Sequence, residues 1–93
     1  MYDRILRKMR DRVRSRDYVM TTHADEEMWE DGLAIRDIET AILRGEIVER
    51  QKDRHSKEWK YLIRADSPDL NSVVVVAKIG YTGELVIVTV YRA

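Results

Sequence analysis

Residues 35–52 read IRDIETAILRGEIVERQK, and the spacing of the apolar side chains changes inside this stretch. Four apolar residues recur at the spacing of one helix face, namely Ile35, Ile38, Ala41 and Ile42. Gly45 is suited to the end of that helix, because glycine adopts the left-handed conformation without strain. Beyond Gly45 the apolar period falls to two. The stretch therefore predicts helices before residue 45 and strands after it.

Downstream, residues 46–52, 57–65, 72–80 and 85–91 resemble strands and are separated by short runs of turn-forming residues. Short links between consecutive strands are typical of an antiparallel meander. The predicted fold class is therefore α+β, in which N-terminal helices pack on a curved sheet of four to five antiparallel strands. The length of 93 residues bounds the chain to a single domain, residues 1–93.

Upstream, residues 18–22 are rich in β-forming side chains and lead directly into residues 22–25, THAD, which match the capping-box pattern of a helix start. We expect a short strand that passes straight into a helix over residues 23–31. Gly32 is suited to end that helix.

Residues 1–16 predict a basic amphipathic helix, because their apolar residues form one stripe: Tyr2, Ile5, Leu6, Met9 and Val13. The segment has seven basic and two acidic residues, a charge of +5, whereas residues 17–46 have two basic and nine acidic residues, a charge of −7. A helix with so narrow an apolar stripe is only marginally stable in isolation, so we expect it to pack against another surface. It either docks on its own domain, beside the acidic residues 25–31, or pairs with a second copy. We favour the homodimer, since paired helices bury the stripe.

The chain has 17 Lys and Arg against 17 Asp and Glu, so its net charge is zero and any polyanion must bind a local patch. It has no cysteine, which excludes disulfides and thiolate metal sites, and its two histidines are too few for a metal site built mainly on imidazoles. No metal or other cofactor is expected. No apolar stretch reaches the length of a signal peptide or a membrane span, so the sequence favours a cytoplasmic protein without membrane attachment.

Several short motifs occur in a fixed order along the chain: Thr22-His23-Ala24-x-x-x-Met28, Gly32, Asp37-Ile38, Ala41-Ile42, Gly45-Glu46-Ile47-Val48-Glu49 and Val88-Thr89-Val90-Tyr91. Over residues 18–92 this order resembles a bacterial family of small uncharacterised domains with the pattern H-A-x-x-x-M to T-V-Y. That family is distantly similar to the RelE- and BrnT-type toxins of toxin–antitoxin pairs. The resemblance implies a RelE-like curved sheet with helices on one face, RNA cleavage, and an antitoxin protein as partner.

The chain differs from the family pattern at positions that bear on activity. Glu27 and Asp31 stand where the family often carries arginine, and Ala34 stands where a serine caps the next helix. Around Asn71 and Ser72 the chain also lacks a histidine that many relatives carry at the start of the penultimate strand.

His23 and Tyr91 are the candidate catalytic residues. RNA cleavage without a metal needs a base for the 2′-hydroxyl and an acid for the leaving oxygen. His23 lies in the predicted first turn of a helix, where the dipole favours both a neutral imidazole and a nearby phosphate. The alternative is a structural histidine packed under the sheet. Tyr91 either stacks on a base or donates a proton, or else belongs to the core.

The candidate RNA-binding residues are basic and lie in the turn at 53–56 or on the strands: Arg54, His55, Lys57, Lys60, Arg64, Lys78 and Arg92. We expect those on the strands to line one concave face of the sheet. The alternatives are a solvated hairpin end and charges that block aggregation between sheet edges. Trp29 and Trp59 are interpreted as packing residues.

Two functions follow as hypotheses. The first is a toxin-like RNA-binding domain, with metal-independent endoribonuclease activity as its possible chemistry. The alternative is a protein-interaction module without catalysis, which dimerises or binds a complementary protein.

Overall fold

A computed structural model of the chain describes residues 1–66 and 72–93. Helices and strands within these residues have the following bounds: α1 (Asp3–Arg14), β1 (Tyr18–Met20), α2 (Thr22–Glu30), α3 (Ile35–Arg44), β2 (Glu46–Lys52), β3 (Trp59–Ala65), β4 (Val73–Ile79) and β5 (Leu85–Arg92). The predicted change from helices to strands at Gly45 is confirmed, and so is the α+β class.

Gly45 ends α3 for a different reason from the predicted one. Its φ is −81°, which is not left-handed. A Cβ at this position would lie 2.5 Å from the carbonyl oxygen of Ala41 and 2.6 Å from that of Arg64, so only glycine lets α3 pass this close to β3. Gly32, with a φ of +66°, does take the left-handed conformation after α2.

The sheet is mixed, with the strand order β1-β5-β4-β3-β2. Strands β2 to β5 form the predicted antiparallel meander. The expectation of an antiparallel sheet is wrong for β1, which pairs in parallel with β5 from Tyr18 opposite Leu85 to Met20 opposite Ile87. Short links force antiparallel pairing only between consecutive strands. Two helices and three strands separate β1 from β5, so this pair is free to run in parallel.

The core lies between the helices and one face of the sheet. Its largest fully buried side chains come from both layers: Met9, Ile38, Ile42, Ile63, Val75, Leu85, Ile87 and Val90. Alternation along β3 places Ile63 and Tyr61 on this face, whereas Lys60, Leu62 and Arg64 lie on the opposite face. We call that opposite face, which carries Val74, Val76, Lys78, Val86, Thr89 and Tyr91 on the neighbouring strands, the open face.

Helix α1 docks on its own chain. Met9 and Val13 are buried, with exposed fractions of 0% and 4%. The Arg10 guanidinium donates from Nε to the carbonyl oxygen of Ile42 at 3.0 Å and from Nη2 to that of Gly45 at 2.7 Å. These carbonyls lie at the C-terminal end of α3, where oxygens lack partners within the helix. The apolar stripe is therefore covered within one chain. A dimer through residues 1–16 was expected in order to bury this stripe, and that reason no longer applies.

The charges of α1 also find partners other than the expected ones. Arg12 pairs with Asp17 at 3.6 Å, and Arg14 pairs with Asp11 at 3.3 Å. Among the described residues, no ion pair joins α1 to the acidic residues 25–31, so the expected charge complementarity between these segments is wrong.

Candidate functional site

Three of the four predicted cations on the strands, Lys60, Arg64 and Lys78, lie on the open face, whereas Arg92 does not. Two of the three, Arg64 and Lys78, have carboxylate partners. Lys78 has a side chain only 16% exposed, and it lies between two carboxylates. Its Nζ is 3.5 Å from Oδ2 of Asp53 and 3.4 Å from Oε1 of Glu58. Lys78 therefore offsets one of these two negative charges and fixes the β2–β3 turn on β4.

Asp53 organises that turn through both of its carboxylate oxygens. Its Oδ1 accepts hydrogen bonds from the backbone N–H groups of His55, at 2.8 Å, and Ser56, at 3.4 Å. These bonds, His55 first, hold the pKa of Asp53 below its ordinary value, and the charge of Lys78 acts in the same direction. The turn is thus built around an ionised Asp53.

Arg64 is also engaged. Its Nε lies 3.4 Å from Oδ1 of Asp66, and its Nη2 donates to the hydroxyl of Ser72 at 3.1 Å. The Ser72 hydroxyl donates to Asp66 as well, and this bond, followed by that from Arg64, lowers the pKa of Asp66. Ser72 thus takes part in a polar network, while Asn71 lies outside the described residues.

Arg92 leaves the predicted cation row altogether. It stands opposite Val73, on the helix side of the sheet. Its backbone N–H donates to Oδ2 of Asp31 at 3.1 Å, and its Nε donates to the carbonyl oxygen of Asp31 at 2.8 Å. Arg92 therefore joins the end of β5 to the end of α2.

Three of the predicted RNA-binding residues do come together. Arg54 and His55 at the turn and Lys60 on β3 line a cleft of about 450 Å³, together with Lys52. We call it the hairpin cleft. Lys57, with a φ of +60°, is exposed at the same turn.

Beside the hairpin cleft lies an aromatic group that the sequence analysis assigned to packing. Trp59 is 40% exposed, and the guanidinium carbon of Arg50 lies 4.1 Å from its ring centroid. Nζ of Lys52 lies 5.0 Å from the same centroid. The signal was present in the sequence, since Arg50 and Lys52 are two positions apart on a strand and so share one face. Trp29 is also not a packing residue, because it is 75% exposed.

His23 lies on the surface of α2, so the alternative of a histidine packed under the sheet is wrong. Its side chain is 67% exposed, and its Nε2 lies 3.2 Å from Oε1 of Glu27. The same Glu27 oxygen accepts a hydrogen bond from the backbone N–H of Val90 at 3.3 Å. Glu27 thus joins α2 to β5 and also contacts the imidazole of His23.

Tyr91 lies on the open face, opposite Val74 and half-buried. Among the described side chains, no hydrogen bond connects Tyr91 to His23. The two candidate catalytic residues therefore do not form a hydrogen-bonded acid–base pair among the described residues.

The sequence places this arrangement in a known domain family. The family model described as a domain of unknown function, DUF4258, matches residues 20–92. The chain belongs to the DUF4258 family. The DUF4258 match includes the hairpin cleft, Trp59 and His23, whereas residues 1–19, which include all of α1, lie outside it. No curated protein and no solved structure matches the chain significantly.

Within residues 1–66 and 72–93, no three His, Asp or Glu side chains are grouped as ligands for a metal ion. None of the helices in the same residues is long and apolar enough to cross a membrane.

Proposed function

We propose that this domain binds single-stranded RNA through the β2–β3 hairpin. The observation that carries the proposal is Trp59, an exposed aromatic ring flanked by Arg50 and Lys52 and adjacent to the hairpin cleft. Proteins that bind single strands combine aromatic rings, on which bases stack, with cations that follow the phosphates. The hairpin offers both within one short segment.

The charge of the hairpin supports the proposal. Residues 50–60 contain five Lys and Arg, and their only acidic residues are Asp53 and Glu58. Both carboxylates face Lys78, at 3.5 and 3.4 Å, so a cation from β4 offsets one of their two negative charges. The five basic residues of the hairpin exceed the negative charge that remains, so the hairpin gives a local positive surface on a chain of zero net charge.

The resemblance to RelE- and BrnT-type toxins extends the proposal to RNA cleavage by this domain. It also implies an antitoxin protein that binds the domain and inhibits it. In that extension His23 is the base, and Glu27 orients its imidazole from 3.2 Å. Expression in bacteria tests the extension. Growth arrest with cut transcripts that disappears in the variant His23→Ala supports it, and arrest that is unchanged by this substitution contradicts it.

RNA binding itself is tested by fluorescence anisotropy with a labelled 12-nucleotide single-stranded RNA at several salt concentrations. The chain offers a matched control, because Trp59 and Trp29 are both exposed but, within residues 1–66 and 72–93, cations lie over the ring of Trp59 and not over that of Trp29. Stacking is worth about 1–3 kcal/mol per base, so Trp59→Ala is expected to weaken binding roughly 5- to 150-fold. Trp29→Ala is expected to leave it unchanged. Equal effects of the two substitutions, or no salt-dependent binding by the wild type, contradict the proposal.

A second candidate function is protein binding by the open face. On this face Val19, which stands opposite Val86 at the β1–β5 pair, is 54% exposed, whereas Val74 and Val76 of the central strand are already buried. An antitoxin or a second copy of the chain would cover the exposed Val19 side chain. The substitution Val19→Lys is expected to weaken such an association while leaving RNA binding intact.

A further inference from the structure

The start of α1 and strands β2 and β3 enclose a second cleft, of about 400 Å³. Arg4 and Lys8 from α1 and Arg50 from β2 form its basic walls, and Tyr2 and Tyr61 form its aromatic part. We call it the α1 cleft. It does not contain the residues of the hairpin cleft.

The charge of the α1 cleft has one sign. None of the residues that line it is acidic. In the described part of the chain, no ion pair involves Arg4, Lys8 or Arg50, whereas Arg12, Arg14, Arg64 and Lys78 all have carboxylate partners. Arg4 and Lys8 are four positions apart, so they lie one above the other on the same face of α1. Three cations without carboxylate partners around one concavity attract an anion.

The aromatic part of the α1 cleft suits a planar ring. The rings of Tyr2 and Tyr61 contact edge to face, with centroids 5.9 Å apart and an interplanar angle of 74°. Both side chains are half-buried, and Ile5 lines the cleft beside them. A ligand that carries a base next to a phosphate satisfies the aromatic and the basic walls together, which inorganic phosphate alone does not.

Arg50 connects this cleft to the proposed RNA-binding hairpin. Its side chain lines the α1 cleft, and its guanidinium carbon also lies 4.1 Å from the ring centroid of Trp59. A strand whose base stacks on Trp59 can therefore continue past Arg50 towards Lys8. This continuity favours a nucleotide within a chain over a free nucleotide.

We infer that the α1 cleft binds a phosphate and the adjacent base of a single-stranded RNA, and that α1 extends the RNA-binding surface beyond the family-matched part of the chain. The inference rests on the proposed RNA binding by the hairpin. It assigns a function to Arg4 and Lys8, which lie before residue 20, where the family match begins.

The test compares Lys8→Glu with Arg7→Glu. Both residues are exposed neighbours on α1, and both changes alter the net charge by two, but Arg7 lines a groove on another side of the helix. Binding of a labelled 12-nucleotide RNA is measured by anisotropy, and circular dichroism verifies that both variants fold. Lys8→Glu is expected to weaken binding about tenfold and to reduce the salt slope by about 0.7, the value for one phosphate contact of a single strand. Arg7→Glu is expected to change binding less than about twofold.

The outcomes separate this inference from the proposed function. If the wild type binds RNA and Trp59→Ala weakens binding, but Lys8→Glu and Arg7→Glu have equal effects, the inference is wrong and the hairpin proposal stands. If the wild type does not bind RNA, both are wrong. RNAs of 3, 6 and 12 nucleotides and uridine monophosphate test the commitment to a chain. Affinity should rise with length, and equal affinity for the mononucleotide and the 12-mer would overturn it.

Discussion

The carboxylate of Glu27 accepts a hydrogen bond from the backbone N–H of Val90 at 3.3 Å, so a helix side chain completes the edge of a strand. Strand β1 pairs with β5 only as far as Ile87. Beyond that point, α2 lies along β5, and Asp31 binds the backbone N–H of Arg92 at 3.1 Å, as Glu27 binds that of Val90. Glu27 and Asp31 thus both satisfy backbone donors at a sheet edge.

The first prediction concerns this edge. Glu27→Ala removes the acceptor of a part-buried N–H group, so it is expected to lower the free energy of unfolding by about 1–3 kcal/mol. Glu26→Ala is the matched control, since Glu26 is an exposed neighbour on the same helix. Urea unfolding measures both. Equal stability of the two variants would show that the bond contributes nothing.

The second prediction separates charge compensation by Lys78 from direct contact with RNA. Lys78→Met removes the cation that faces Asp53, which lines the hairpin cleft, and Glu58. The repulsion of phosphate by these carboxylates is then expected to weaken RNA binding about fivefold. Adding Asp53→Asn and Glu58→Gln removes the two negative charges and should restore binding. If Lys78 contacts RNA directly, the triple variant stays as weak as Lys78→Met.

The third prediction is a pH dependence of stability from Tyr18. Burial, together with the hydrogen bond that its hydroxyl donates to Glu39, raises the pKa of Tyr18 from 10.0 to about 12. Above pH 10 the unfolded chain releases this proton more readily than the folded one, so this contribution to stability is complete below pH 10 and is lost as the pH rises towards 12. Thermal unfolding from pH 8 to 11.5 should show a steeper decline for the wild type than for Tyr18→Phe. Parallel curves would contradict the prediction.

The fourth prediction concerns the docking of α1. Met9 is fully buried against its own chain, so Met9→Ala is expected to lower the free energy of unfolding by about 2–5 kcal/mol. Because the apolar stripe is already covered, analytical ultracentrifugation at micromolar concentration should give the mass of one chain for the wild type and the variant alike. A wild-type dimer that Met9→Ala dissociates would support pairing of two chains through α1 and contradict this prediction.

The candidate site was only partly predictable from the sequence. Arg54, His55 and Lys60 share one cleft because they are close in sequence at a hairpin end. Arg92 lies on the opposite side of the sheet from the predicted one, and Lys78 contacts two carboxylates that the sequence did not predict. In both cases the partners are distant in sequence. Asp53 pairs with Lys78 across 25 positions, and Asp31 binds Arg92 across 61. Alternation along a strand assigns a side chain to a face but does not identify what approaches that face.

The sequence by itself determined the order and type of the elements. The change of apolar period at Gly45 indicates where the backbone changes from helix to strand, and the alternation around Ile63 indicates which side of β3 is buried. Both patterns depend on neighbours within a few residues. Only the tertiary structure decided the parallel pairing of β1 with β5 and the docking of α1 through Arg10 on the end of α3. These contacts join segments far apart in the chain, and they depend on how sheet register and helix packing bring those segments together in space.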